Sequence, residues 1–312
     1  MAVSTKHVLA QGPVIKTLAG VAWAALRQGK SPPGHFQTPS EELIGTVDPL
    51  PAALIKDYVR HVGGDPSAYK GLVPAHLFPQ WSFPLASRTL TGVPYPLLKV
   101  LNGGCKIQIN EHLPAGVPLR ARARLEGIDD NGRRAVLHQR VVTDTDETPN
   151  ALVADLYAIV VHDKKTREKK GAAGPSRGEK AKKKEKARVP HDAEELARWK
   201  LRADAGLDFA KLTGDFNPVH WVGPYAKAFG FRNTILHGFS TMARTIESLQ
   251  RTLFAGSIHR LQSFDVQFTE PLVLPHAVGV YLGETTEQGR TVYVGDAPGG
   301  PAYLVGKFET RP

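Results

Sequence analysis

Helical spacing and strand alternation divide most of the chain into recognisable elements. Phe239, Met242, Ala243, Ile246, Leu249 and Leu253 recur at i, i+3, i+4 and i+7 intervals, which predicts a helix over 237–255 with one apolar face. Leu54–Val62 carries a shorter helical pattern that stops at Gly63-Gly64-Asp65-Pro66, a turn signal. Leu77–Thr91 reads as an interrupted helix, because Pro79 and Pro84 each remove a backbone donor. Strand-like runs follow at Cys105–Ile109, Leu119–Ile128, Arg134–Thr143 and Ala151–Val161. A second set occupies Arg260–Thr269, Ala277–Gly283, Thr291–Val294 and Ala302–Glu309. Asp129-Asp130-Asn131-Gly132 marks a hairpin, since Asn-Gly readily takes positive φ. Glu287-Gln288-Gly289-Arg290 turns one later strand into the next.

The two sets look like copies of one unit. Asp57-Tyr58 runs to Gly63 at the same spacing as Asp208-Phe209 to Gly214, and Ile107 to Glu111 parallels Val266 to Glu270. A helix followed by four or five antiparallel strands, repeated, is an α+β pattern. The copies occupy 51–162 and 191–312, with an N-terminal extension over 1–50. Leu18–Leu26 is a short apolar run that reads as a surface or capping helix on the first copy. No small-x-small cleavage site follows it before Pro32-Pro33, which argues against a signal peptide. No apolar run approaches the ~20 residues needed to span a bilayer.

Charge adds a fourth segment. The chain of 312 residues carries a formal net charge of +10, and residues 163–190 hold twelve Lys or Arg against four Asp or Glu. Eight of the ten charges therefore sit in one stretch, and the folded remainder is near neutral. That stretch lacks aromatics and has Val189 as its sole branched aliphatic, so it reads as a disordered linker. Without aromatic interleaving it offers nonspecific polyanion affinity rather than a specific nucleic-acid site. Cys105 is the only cysteine, which excludes an intramolecular disulfide and fits a cytoplasmic setting; it reads as a small buried hydrophobe.

Candidate chemistry is confined to the second copy. Gly214, Asp215, Asn217, Pro218 and His220 place a carboxylate, an amide and an imidazole within seven residues of turn-forming chain. His237-Gly238 opens the predicted helix, where unhindered N–H groups at the positive end of the dipole welcome negative charge. These are the parts for acid–base chemistry on a carbonyl compound. The histidines lack metal-ligand spacing and there are no paired cysteines, so no metal or other cofactor is expected.

Gly214-Asp215, Asn217-Pro218, His220, Gly230-Phe231, Ile235 and His237-Gly238 together resemble the signature of the R-specific enoyl-CoA hydratases, or MaoC-like dehydratases. Thr213, Trp221-Val222-Gly223 and Leu236 depart from it without removing a reactive group. The resemblance implies a tandem (double) hot-dog fold, each half an antiparallel sheet wrapped around a central helix. It implies reversible syn hydration of trans-2-enoyl thioesters to (3R)-hydroxyacyl thioesters, carried on CoA or on an acyl-carrier protein. Asp215 and His220 would be the catalytic dyad, Asn217 would fix the loop, and Gly238 with His237 would form the oxyanion site. Arg232 could meet a thioester phosphate or lie on a solvated face. In the first copy Gly64 stands where the second has Asp215, so one active site per chain is expected, with the first half supplying stability and an acyl tunnel. A hot-dog thioesterase and a non-catalytic acyl-CoA or acyl-carrier binding module are the rival readings; monomer and homodimer are both compatible.

Overall fold

Ten strands join edge to edge in one antiparallel sheet. The computed structural model describes residues 3–12, 14–16, 20, 37–96, 100–162, 186–287 and 289–311. The first half contributes β1 (Leu43–Val47), β3 (Val100–Ile109), β5 (Leu119–Asp130), β6 (Arg134–Asp144) and β7 (Leu152–Val161). The second contributes β8 (Glu194–Leu201), β9 (Leu261–Phe268), β10 (His276–Thr286), β11 (Gly289–Gly295) and β12 (Ala302–Thr310). Their order is β1-β5-β6-β7-β3-β9-β12-β11-β10-β8, so the halves are mirrored in strand order about the β3–β9 pair. A short side ladder joins β2 (Leu72–Val73) to β4 (Leu113–Pro114).

The helices are α1 (Lys6–Ala10), α2 (Ala52–His61), α3 (Pro79–Thr89), α4 (Ala205–Thr213), α5 (Gly223–Ala228) and α6 (Gly238–Thr252). Helix α6 lies in the interior: Phe239, Met242, Ala243, Ile246 and Leu249 are each at most 4% exposed. One apolar cluster takes Leu54, Tyr58, Phe78 and Trp81 from the first half together with Phe209, Phe239, Met242 and Phe264 from the second. The halves therefore share a core. No helix among the described residues is long and apolar enough to cross a membrane.

Several elements differ from expectation for physical reasons. Strands β1 and β8, the outer strands of the sheet, each have a single paired neighbour and consist mostly of half-buried or exposed residues; burial alternates along β1 but not along the whole of β8. β1 thus brings part of the 1–50 extension into the sheet. Pro84 sits inside a continuous α3, while Pro79 takes an N-terminal position where a missing N–H costs nothing. Packing of Trp81 and Leu85 into the core holds that helix despite the lost donor at Pro84. In the β5–β6 hairpin Gly132 takes φ 73°, whereas the Asn131 side chain accepts from the N–H groups of Arg133 and Arg134. The Leu18–Leu26 helix lies outside the described residues except Gly20. The described N-terminal helix, α1, packs on α4 and reaches α2 through His7 and Asp57, 2.8 Å apart. Residues 163–185 also lie outside the described residues. Residues 186–190 are fixed: Val189 is buried beside Tyr281 and Ala302, and its N–H donates to the Gly300 carbonyl.

The polar face of α6 meets the first half. Glu247, 4% exposed, lies 3.0 Å from Nε2 of His76, itself 2% exposed. Tyr58 Oη donates to the His76 carbonyl at 2.8 Å and lies 3.1 Å from Nδ1, while Tyr69 donates to Gln250 Oε1 at 2.8 Å. A Cβ on Gly64 would stand 2.3 Å from the Glu247 carboxyl carbon. Glu247 therefore fills the space where the first half lacks the side chain corresponding to Asp215. Removing one member of a buried pair leaves the other uncompensated. We expect Glu247→Ala to lower unfolding free energy by about 3–5 kcal/mol, measured by urea denaturation.

Candidate active site

Asp215 and His220 sit on opposite ends of one tight loop. Helix α4 ends at Gly214, whose φ of 81° is the left-handed cap that a glycine adopts without strain. The chain then turns so that the Asn217 N–H donates to Asp215 Oδ1 at 3.3 Å. The Asn217 side chain in turn accepts from the Val219 N–H and opens a 3-10 turn, Pro218–His220. Asn217 thus shapes the loop that presents both side chains.

The second histidine arrives on α6. His237 immediately precedes that helix; its ring stacks on His220 with centroids 3.5 Å apart and meets the Phe209 ring at a tilt, centroids 4.9 Å apart. Hydrogen bonds to carbonyls fix both tautomers, because a carbonyl only accepts. His220 Nδ1–H donates to the Ile235 carbonyl at 2.8 Å, leaving Nε2 as the basic nitrogen. His237 Nε2–H donates to the Asp215 carbonyl at 3.1 Å and lies 3.7 Å from Asp215 Oδ2.

Desolvation disfavours the charged form of both rings, His237 being fully buried and His220 half-buried. Desolvation lowers the His220 pKa below its ordinary range, against the opposing pull of Asp215 and the Ile235 carbonyl. The same cause, reinforced by His220, pushes His237 down to about 3. A neutral His220 beside a partly exposed carboxylate can accept a proton, whereas an imidazolium could not. The donor atoms of Asp215, His220 and His237 also lie within 4.8 Å of one another, the single group among the described residues with the compass to hold a metal ion.

Gly238 provides the first N–H of α6, and this N–H makes no hydrogen bond among the described residues. A Cβ there would meet the Phe268 ring at 2.8 Å, so the helix start is kept bare. Arg232 is exposed and forms no ion pair among the described residues; its charge acts on Tyr303.

Sequence reasoning missed three supports of this loop. Gly206, inside α4, faces the His220 carbonyl so closely that a Cβ would lie 2.1 Å from it. Its signal was a glycine within a helix, where alanine is ordinarily favoured by about 1 kcal/mol. Gln11, fully buried, donates to the Leu212 carbonyl at 2.9 Å and accepts from Gln80. Val14 packs against Gly214. Nothing local in the sequence pairs Gln11 or Val14 with a loop two hundred residues away.

Two predictions follow from burial and close packing. Because the folded pKa of His237 lies below the unfolded value near 6.5, its stabilisation is complete above that value and declines as pH falls toward 3. We expect a loss of about 1.4 kcal/mol per pH unit across that window, read by urea unfolding at stepped pH and reduced in His237→Gln. Gly206→Ala is expected to cost about 1–3 kcal/mol through overpacking, measured in the same assay at neutral pH.

Comparison with known proteins locates this site within a family. Residues 181–296 match the MaoC-like domain model. A 76-residue stretch, 24% of this chain and 25% of the relative, is 33% identical to 3-hydroxyacyl-thioester dehydratase X of Mycobacterium tuberculosis. A longer match of 214 residues, 22% identical, covers 68% of this chain and 67% of a probable enoyl-CoA hydratase 2 of Dictyostelium discoideum. A Mycobacterium tuberculosis protein described as a double hot-dog fold superposes with a TM-score of 0.55 at 13% identity, covering 88% of this chain and 96% of that one. Residues 181–296 therefore form a MaoC-like domain that contains the paired imidazoles and the carboxylate, and the chain as a whole has the double hot-dog fold.

Proposed function

We propose that this chain catalyses hydration of enoyl thioesters, in the reversible syn sense that yields (3R)-hydroxyacyl thioesters. The observation that carries the reading is the His220 ring: neutral by burial, with Nε2 left basic by the Ile235 carbonyl and the Asp215 carboxylate alongside. Water held by this pair loses a proton to His220 Nε2 as its oxygen bonds to C3. The C2–C3 π pair moves toward the thioester carbonyl, and the pair returns a proton to C2 on the same face. Negative charge that gathers on the thioester oxygen faces the N–H of Gly238 at the start of α6. Dehydration is the same path reversed. The names of the matched relatives, a hydroxyacyl-thioester dehydratase and a probable enoyl-CoA hydratase, support this class of reaction.

A thioesterase needs no Asp-x-Asn-Pro-x-His loop, and a pure binding module leaves the two neutral, tautomer-fixed imidazoles without a use. The acyl group is taken on coenzyme A or on an acyl-carrier protein, which present the same thioester arm. Loss of enoyl absorbance from crotonyl-CoA and from a longer trans-2-enoyl-CoA tests the proposal. Asp215→Asn and His220→Ala should each fall at least about a hundredfold in kcat while circular dichroism is unchanged. Turnover should survive a chelator, and sensitivity to it would assign the three side chains to a metal instead. Because the His220 pKa is depressed, the acid limb of kcat/KM should lie below the ordinary imidazole value.

A further inference from the structure

The two halves of the sheet meet at one strand pair, and the residues at its centre are equivalent positions of the duplicated unit. Lys106 on β3 stands directly opposite Asp265 on β9. Ile107 to Glu111 parallels Val266 to Glu270, so Lys106 and Asp265 occupy the same place in their respective copies. The pair therefore lies on the approximate two-fold axis that relates the halves. In any pairing of two like halves, a residue on that axis would face its own counterpart.

The charges on either side of the axis are inverted as well. Lys106 stands opposite Asp155 on β7, and Asp265 stands opposite Lys307 on β12. Leu152-Val153-Ala154-Asp155-Leu156 parallels Leu304-Val305-Gly306-Lys307-Phe308, so Asp155 and Lys307 are also equivalents. Directly opposed residues of antiparallel strands share a face, and the row reads Asp155, Lys106, Asp265, Lys307 across four strands. Cys105, Ile107, Leu156, Phe264, Val266 and Phe308, next to them in sequence, are buried in the shared core, which puts the charged row on the outer face. Lys106 and Lys307 both favour the Asp265 carboxylate, against burial and Asp155. Two second halves would set Asp265 against Asp265, and two first halves Lys106 against Lys106. Like charges so opposed destabilise a sheet. A second contact also rejects a pair of second halves. Glu247 packs against Gly64, where a Cβ would lie 2.3 Å from its carboxyl carbon. The second half has Asp215 at the corresponding position, so its own loop would press a carboxylate onto Glu247.

We propose that the edges β3 and β9 present to one another form a charge-coded docking surface that accepts the unlike half and rejects a second copy of the same half. Lys106 and Asp265 carry the code at the axis, Asp155 and Lys307 extend it, and Glu247 adds to it from α6. The half that bears Asp215 and His220 is thereby covered by a half that offers glycine to Glu247. The inference concerns pairing alone and does not depend on the reaction proposed above.

Charge reversal in the full chain recreates each rejected seam. Lys106→Asp gives the axis of two second halves, Asp265→Lys that of two first halves, and the double variant restores an unlike pair. Both positions are exposed, and circular dichroism checks that each variant folds. Contacts of the reversed side chains with Asp155 and Lys307 are common to the single and double variants, so a double-mutant cycle cancels them. Each single reversal should raise the unfolding constant, read by urea denaturation. The double variant should lie at least about fivefold below the product of the two single effects, and that coupling should shrink in roughly 1 M salt. Effects that simply multiply, or a coupling that salt leaves unchanged, would overturn the proposal. Gly64→Asp beside the isosteric Gly64→Asn reads the Glu247 contact, because the two differ in charge and not in size. The Asp variant should raise the unfolding constant at least about fivefold more than the Asn variant at neutral pH. Equal losses would overturn the part assigned to Glu247.

Discussion

Everything in this molecule is arranged around the burial of α6. A single helix threads the space between a ten-stranded sheet and the helices of the first half, and its apolar residues are almost fully removed from water. That burial is a large part of the shared core, and it positions the candidate site as well. The start of the helix delivers His237 and a bare Gly238 to a dry place beside the Asp215 loop. Desolvation there disfavours the charged form of two stacked imidazoles, and a hydrogen bond from each to a carbonyl sets which nitrogen is free.

The same helix explains why the halves are unequal. Taking Gly63 against Gly214 as the common reference, Gly64 corresponds to Asp215 and Tyr69 to His220, while His76 precedes α3 much as His237 precedes α6. Tyr58 pairs with His76 in the first half as Phe209 pairs with His237 in the second. The first half has therefore kept the ring contacts and replaced the carboxylate. Its substitute, Glu247, comes from α6 and binds His76 directly, which ties the two halves through a buried charge–imidazole contact rather than an open site. Such contacts do little for net stability compared with apolar packing, but they penalise any other arrangement of the partners.

Support for the loop comes from far along the chain. Gln11 and Val14 press on the end of α4 from the N-terminal segment, and Gly206 lets α4 touch the His220 backbone. Val3 and Lys211 add to this dock through the Asp208 carboxylate, which accepts from both and from Arg202.

The amino-acid sequence alone determined the α+β class, the duplication and the dense motif from Gly214 to Gly238, because these are encoded locally by periodicity, turn residues and short spacing. Asp215, Asn217, His220, His237 and Gly238 were all legible for that reason. The outer strands β1 and β8 were not, since each pairs with one neighbour and is mostly half-buried or exposed, which leaves little core-facing signal in its sequence. Only tertiary structure could decide that Glu247 occupies the space beside Gly64, that Gln11 braces a loop two hundred residues away, and that His220 stacks on His237. Each of these depends on which distant surfaces meet when α6 is buried, and pairing across such separations leaves no trace in local spacing.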